Sequence, residues 1–243
     1  MIKRIAVLVC LFLLPTSFLL AQKDSMSKSY TTKMPTVVKP SRDFFMLQIG
    51  YNNWVKKADS LNNVNTKSIG YVFNAFFCYD FPIKKSNMSF ATGVGINTSV
   101  VYLNNQVLSV SDTGVRGNMA HFINDTVNYK RYKFNTVYLQ APFELRYYSN
   151  IQNRNKGFKA ALGVQVGAFL GAHTKGLRSV SGVNIKDKEN TKRYVSPWNF
   201  AATARVGFGN FAVFGSYNIT NVFKDANGPV VTPFSFGLSI SGL

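Results

Sequence analysis

The chain has 243 residues, of which 46% are hydrophobic and 14% are aromatic. This composition excludes an intrinsically disordered chain, because it supplies enough apolar surface for a folded core. The length fits a single β-domain. The formal net charge of +18 favours anionic partners, either nucleic acid or phosphate-bearing lipids.

Residues 1–21 have the order of a secretory signal peptide. Lys3 and Arg4 precede an apolar run over 5–14, and the small residue Ala21 stands before a polar stretch. We therefore predict cleavage after Ala21, since a membrane-spanning helix would need about 20 apolar residues. An exported chain rarely meets nucleic acid. We expect outer-membrane lipid and lipopolysaccharide as the anionic partners, and no nucleic acid.

The rest of the chain divides into a tail and one domain. Residues 22–42 contain Ser, Thr, Lys and two prolines without a hydrophobic period, and we predict that they form a flexible periplasmic tail. Residues 43–243 have a hydrophobic period of two, which indicates β-strands. We therefore predict that they form a single β-domain.

The segment 68–81 shows the period of two most clearly. Every second residue from Ile69 to Phe81 is apolar, and most residues between them are small or polar. This alternation is about twice as long as a typical soluble strand of 5–6 residues. Eight segments alternate in this way: 45–52, 68–81, 90–102, 137–147, 158–171, 200–209, 211–219 and 234–240.

Eight amphipathic strands predict an all-β fold, an eight-stranded antiparallel up-and-down transmembrane β-barrel. The sheet must close, because an open edge in lipid would leave backbone polar groups unpaired. Aromatic residues near segment ends, among them Trp54 and Tyr148, predict interfacial girdles. The alternative is a soluble barrel or sandwich whose apolar face points inward. We prefer the membrane barrel because the opposite face is rich in Gly, Ser and Asn.

The connections between the segments alternate in length. Short connections at 84–87, 150–156 and 209–210 separate long ones after Trp54 and at 104–133, 175–198 and 220–231. Outer-membrane barrels have short periplasmic turns and longer extracellular loops. We therefore predict that both termini are periplasmic and that the long loops face outside.

One segment resembles a known family. The sequence Y-L-Q-A-P-F-E-L-R-Y from Tyr138 to Tyr147 is similar to the Y-L-x-x-P-x-x-L-(K/R)-Y strand of the PorT-like outer-membrane β-barrel proteins of Bacteroidetes. Glycine-paired strands and the last strand, F-S-F-G-L from Phe234, also fit that family. The resemblance covers about residues 43–243 and implies an eight-stranded outer-membrane barrel. The family name also implies an accessory role in protein secretion.

Four charged residues fall at inward positions of the predicted strands: Glu144, Arg146, Lys159 and Arg205. An eight-stranded barrel has an interior that side chains just fill, so we do not expect an open pore. Buried charges must be paired, and we predict an ion-pair cluster with a structural role. A ligand-binding or proton-linked role is the alternative. Pro142 lacks a backbone donor, and we expect a bulge to accommodate it.

The predicted loop 175–198 is basic. Its cations are Lys175, Arg178, Lys186, Lys188, Lys192 and Arg193. As a hypothesis, these six residues bind lipopolysaccharide phosphates. Solvated charge without a specific partner is the alternative.

The sequence offers little for catalysis. It shows no metal-ligand cluster and no phosphate-cradling glycine loop, so we predict no catalytic residue, no metal and no cofactor. Lipid-modifying enzymes of the outer membrane use a histidine with a nearby serine, which leaves His173 with Ser179 or Ser181 as an alternative. His121, the only other histidine, lies in the longest predicted loop.

These observations predict a non-enzymatic outer-membrane barrel with a structural or accessory envelope role. Its basic loops would contact lipopolysaccharide or a partner protein. Two alternatives stay open. One is an accessory component of a protein secretion system, as the resemblance implies, and the other is an outer-membrane lipid-modifying enzyme.

Overall fold

The computed structural model describes residues 44–56, 64–84, 86–111, 119–150, 153, 156–190, 192–224 and 228–242. The predicted signal peptide (1–21) and N-terminal tail (22–42) lie outside these ranges. The described strands are β1 Phe45–Lys56, β2 Tyr71–Pro82, β3 Met88–Leu103, β4 Gln106–Ser111, β5 Met119–Asn124, β6 Arg131–Tyr148, β7 Phe158–Val180, β8 Val183–Asn190, β9 Trp198–Phe208, β10 Phe211–Asn218 and β11 Val231–Ser241. Over the described residues, no helix is long and apolar enough to cross a membrane.

Eight of these strands close into an antiparallel barrel. Their order is β1-β2-β3-β6-β7-β9-β10-β11, and β11 pairs with β1 to complete the circle. The predicted all-β, eight-stranded up-and-down barrel is confirmed. Closure leaves the barrel itself without an open sheet edge, which is the condition for a sheet to span lipid.

Large apolar side chains point away from the barrel axis. Leu162, Val206 and Phe236 are 68%, 52% and 53% exposed, and similar residues surround the barrel. Soluble monomers rarely expose so continuous an apolar surface. The alternation that the sequence shows therefore places apolar residues outside and small or polar residues in the lumen.

The two ends of the barrel differ. The short connections after β2, β6 and β9 lie at one end, together with the start of β1 and the end of β11, where the Gly242 nitrogen donates to the Phe45 carbonyl at 3.3 Å. We call this the short-turn end and the opposite one the long-loop end. The β9–β10 turn has Gly209 at its first position with a φ of 62°, as a type II′ hairpin requires.

Two regions predicted as long loops contain β-hairpins instead. β4 and β5 form a separate two-stranded sheet, and β8 pairs with the outer part of β7. The β7–β8 turn consists of Ser181 and Gly182, whose φ angles are 51° and 82°. Positive φ at both turn positions is the pattern of a type I′ turn, which joins two strands with two residues.

The irregularity expected at Pro142 has a different form. At Pro142 the β3–β6 pairing stops after Thr92–Phe143 and resumes in the same register at Gly95–Gln140. The ladder is therefore interrupted without an extra residue. A register shift occurs instead in the β6–β7 pairing at Val137/Tyr138. This shift reverses which residues of β7 face the lumen beyond that point.

Candidate functional site

Buried charged side chains fill the lumen near the short-turn end. The Glu144 carboxylate accepts hydrogen bonds from Arg146 Nε at 2.8 Å and Arg205 Nη2 at 2.9 Å. Arg146 Nη1 donates to Asp80 at 2.7 Å, and the Tyr148 hydroxyl donates to the same carboxylate at 2.9 Å. We call these five residues the luminal network. All of them are buried, so each charge depends on its partners rather than on water.

Small residues leave room for these long side chains. Arg146 and Arg205 lie in one row across three strands, with Ala161 between them. Glu144 lies beside Gly163, where a Cβ atom would meet the backbone of Glu144 itself. Small and charged residues therefore alternate around the barrel, and the charged groups converge on the axis.

Lys159 makes a separate contact at the same end. Its Nζ donates to Ser241 Oγ at 2.7 Å, which links β7 to the last strand across the lumen. Of the four residues predicted for a luminal cluster, the structure brings Glu144, Arg146 and Arg205 into direct contact. It places Lys159, also buried, with Ser241 as a hydrogen-bond partner.

Two members of the luminal network were missed in the sequence. One is Asp80, which lies at an inward position of β2. The predicted luminal cluster has three cations and a single acid, and this imbalance is a signal that a second acid is needed. The prediction of Tyr148 at the membrane interface is wrong. Every second residue of β6 points into the lumen, and Tyr148 belongs to the same inward series as Glu144 and Arg146. Its hydroxyl is used inside the barrel.

Side-chain amides continue the hydrogen bonding across the middle of the lumen. Asn97 donates to Asn74, and Asn74 donates to Gln48. Gln48 and Arg205 both donate to the sulfur atom of Met46. This chain of contacts joins the amides of β1, β2 and β3 to the luminal network.

A narrow polar cavity lies beside these amides. It has room for about one or two water molecules. Its lining includes Asn52, Thr136, Gln140, Gln165, Asn199 and Ser235. A space of this size holds water.

Aromatic side chains cover the lumen at the long-loop end. The Trp54 ring lies 5.7 Å from Phe134 and 6.2 Å from Phe223, between ring centroids. Phe122, from the β4–β5 hairpin, lies 5.9 Å from Phe223. We call these four rings the aromatic cap. The prediction of Trp54 at the membrane interface is wrong, since Trp54 is only 5% exposed and continues the inward series of β1.

The connections at this end fold inward to complete the cap. Val64, Tyr194 and Val222 come from three different connections, and all are buried in one apolar cluster with the cap. A backbone bridge between Val195 and Phe223 ties two of these connections together. The lumen is therefore covered by apolar side chains at one end and filled by the luminal network at the other.

The basic residues of 175–198 occupy two different surfaces. Arg178 is half-buried and pairs with Asp187 at 3.0 Å. The Tyr129 hydroxyl also donates to Asp187, at 2.9 Å, and burial together with this hydrogen bond raises the pKa of Tyr129 to about 12. The other five predicted cations are exposed: Lys175, Lys186, Lys188, Lys192 and Arg193.

The residues considered for catalysis are not brought together. His173 contacts the amide of Asn135 at 3.3 Å, on the outer face of the barrel. Ser179 lies six residues further along β7, about 20 Å away in an extended strand. His121 lies opposite Ser109 in the β4–β5 hairpin. No group of three or more His, Cys, Asp or Glu side chains in the described ranges is placed to hold a metal ion.

A closed antiparallel barrel with apolar residues outside and a filled polar lumen is a transmembrane β-barrel of the outer-membrane type. The family model described as "Outer membrane protein beta-barrel domain" matches residues 43–224. The chain belongs to this family and is an outer-membrane barrel protein. A comparison with curated proteins finds no match.

Proposed function

We propose that this protein is a closed, non-conducting and non-enzymatic barrel with a structural or accessory role in the envelope. One observation carries the proposal: the luminal network fills the lumen, and the aromatic cap covers its long-loop end. A barrel without a solute path acts through its surfaces. The exposed part of the β7–β8 hairpin carries the cations Lys175, Lys186 and Lys188.

The proposal includes an orientation. The long-loop end faces the cell exterior, and both termini lie in the periplasm, because barrels of this type have short periplasmic turns. In this orientation the exposed cations of the β7–β8 hairpin lie where lipopolysaccharide presents its phosphates. Opposite charges attract strongly at such an interface.

Conductance measurements test the closed lumen. The purified protein is inserted into planar lipid bilayers in concentrated KCl, with a porin as the conducting control and Trp54→Ala as the cap variant. We expect no stepwise conductance from the wild-type protein. Stable conductance steps from the wild-type protein would overturn the proposal, and steps of the same size in Trp54→Ala would show that the path bypasses the cap.

An accessory role in protein secretion is the second candidate. Two observations support it: the resemblance of Tyr138–Tyr147 to the PorT-like strand, and the edge of β8, which pairs only with β7 among the described strands. An edge strand can accept a strand from a partner protein. Deletion of the protein in its host would then block the export of particular cargo proteins, whereas a structural barrel would leave export intact and weaken the envelope.

A further inference from the structure

Three lysines lie side by side on the outer face of the barrel. Lys133 of β6 is directly opposite Lys175 of β7, and Lys175 is directly opposite Lys188 of β8. Directly opposed residues of an antiparallel sheet point to the same face, with Cβ atoms about 4.5–5.5 Å apart. We call Lys133, Lys175 and Lys188 the lysine row.

The strand parity places the lysine row outside the lumen. Tyr132 and Phe134, on either side of Lys133, are buried members of the apolar cluster that contains the cap. Thr174, next to Lys175, is buried as well. The lysines between these inward residues therefore point to the exterior, and Lys175 and Lys188 are exposed.

The lysine row lies where the outer face changes from apolar to polar. Val137 faces outward on β6, and the row beyond it consists of Asn135, His173 and Asn190. The lysine row comes next, about 7 Å further along the strands. In a membrane, acyl chains end and headgroups begin at the level where the outer face of a barrel changes from apolar to polar. The flexible lysine side chains can reach the headgroups from their position beyond this level.

The charges of the lysine row are not balanced on their own face. Like charges directly opposite each other destabilise a sheet. The outward positions of β2, β3, β6, β7 and β8 carry no acidic residue among the described residues. The acids on either side of Lys188 are Asp187 and Glu189. By register both lie on the inner face, opposite Gly176 and Thr174, and Asp187 is engaged by Arg178 and Tyr129. Three adjacent cations without a facing acid indicate an external anion.

Two tyrosines hold the first lysine in place. Lys133 Nζ donates to the Tyr71 hydroxyl at 3.4 Å and lies 5.9 Å from the centre of the Tyr102 ring. Tyrosine is typical of the membrane–water interface, and its ring face attracts a cation. Beyond the row, Arg131 and Lys186 add two further positive charges on the same face.

We infer that the lysine row is a binding site for the phosphate groups of lipopolysaccharide in the outer leaflet. Each lysine offers three N–H donors to phosphate oxygens, and the phosphate relieves the repulsion between the three ammonium groups. The inference rests on the proposed orientation, because only the outer leaflet contains this glycolipid. The site is more specific than a diffuse basic loop, because its three lysines lie on three adjacent strands and Lys133 lies outside 175–198.

A charge-matched pair of variants tests the site. One is Lys133→Gln/Lys175→Gln/Lys188→Gln, and the other is Lys67→Gln/Lys130→Gln/Lys224→Gln, which removes three charges from the same end at separate positions. Heat-modifiable migration on a gel verifies that both variants fold. Binding is measured to immobilised lipopolysaccharide and to the same glycolipid after enzymatic removal of its phosphates.

We expect the lysine-row variant to lose at least about 10-fold in affinity for lipopolysaccharide, and the matched variant less than about 3-fold. Dephosphorylated glycolipid should bind the wild type as weakly as it binds the lysine-row variant. Equal losses in both variants, or equal wild-type binding to both glycolipids, would overturn the site.

Labelling in intact cells separates this inference from the proposed orientation. Ser181→Cys places a thiol at the tip of the β7–β8 hairpin, and the native Cys78 is buried and does not compete for the label. External labelling together with equal binding losses would refute the lysine row and leave the orientation standing. Absence of labelling with a 10-fold selective loss would refute the orientation and assign the row to phosphate lipids of the inner leaflet.

Discussion

Replacement of Glu144 by Gln tests the luminal network. The change keeps the shape of the side chain but removes the charge that Arg146 and Arg205 share at 2.8 and 2.9 Å. Asp80 still pairs with Arg146, so Arg205 loses its carboxylate partner inside the barrel. Removing one partner of a buried ion pair costs about 3–5 kcal/mol. We therefore expect the unfolding equilibrium constant to rise about 100-fold to several thousand-fold.

The assay is equilibrium unfolding by urea in lipid vesicles, followed by tryptophan fluorescence and by the gel shift of the folded barrel. The control is Glu144→Gln/Arg205→Met, which removes the unpaired cation as well. Replacing a complete buried pair by uncharged side chains of similar volume is close to neutral, so the double variant should recover most of the loss. The reasoning is refuted if Glu144→Gln lies within about 1 kcal/mol of the wild type, or if the double variant is no more stable than the single one.

Three further predictions concern the cap, the outer hairpin and catalysis. Trp54→Ala should destabilise the barrel by about 3–5 kcal/mol in the same urea assay, because a large buried ring is lost, and a loss under 1 kcal/mol would contradict the cap. The pKa of Tyr129 is raised from 10.0 to about 12, so its bond to Asp187 stabilises the hairpin below pH 10, and this contribution disappears as the pH rises through 12. Nuclear magnetic resonance of ring-labelled tyrosine should show that midpoint, and Asp187→Asn should lower it towards 10. Lipid A from cells with wild-type protein and with His173→Ala should have the same mass, and a mass difference would indicate an enzyme.

The barrel could be predicted from the sequence because lipid imposes one rule on every strand. Leu162 and Val206 must face the acyl chains, so the period of two repeats eight times and identifies the strands. The same parity places Glu144, Arg146 and Arg205 on the inward side. Their distances and exact partners depend on the stagger between strands, which is not visible in any one strand.

Two predictions are wrong because they rest on residue type rather than on the alternation of inward and outward positions along each strand. Trp54 and Tyr148 were assigned to the interface because they are aromatic and lie near segment ends. Both occupy inward positions, where Trp54 packs into the cap and Tyr148 bonds to Asp80. Parity was the better guide, because a strand side chain cannot change face without a register shift.

The outer hairpins were harder to predict. The β7–β8 turn has a usable signal in Ser181-Gly182, but the apolar alternation of β8 stops at Ile185 and the charged run 186–189 follows. The lysine row depends on the pairing of three strands, one of them beyond the register shift near Val137. A one-residue shift reverses the face of every later residue, and nothing in the local sequence marks it.

Quenching of the two tryptophans by lipids with brominated acyl chains tests the central claim most directly. Trp198 is 56% exposed at an outward position, and Trp54 is 5% exposed inside the cap. In the variant Trp54→Phe only Trp198 fluoresces, and in Trp198→Phe only Trp54 fluoresces. Both variants are measured in reconstituted vesicles. A barrel with its apolar face in lipid and its lumen capped predicts strong quenching of Trp198 and almost none of Trp54. Equal quenching of both, or quenching of Trp54 alone, would contradict this account.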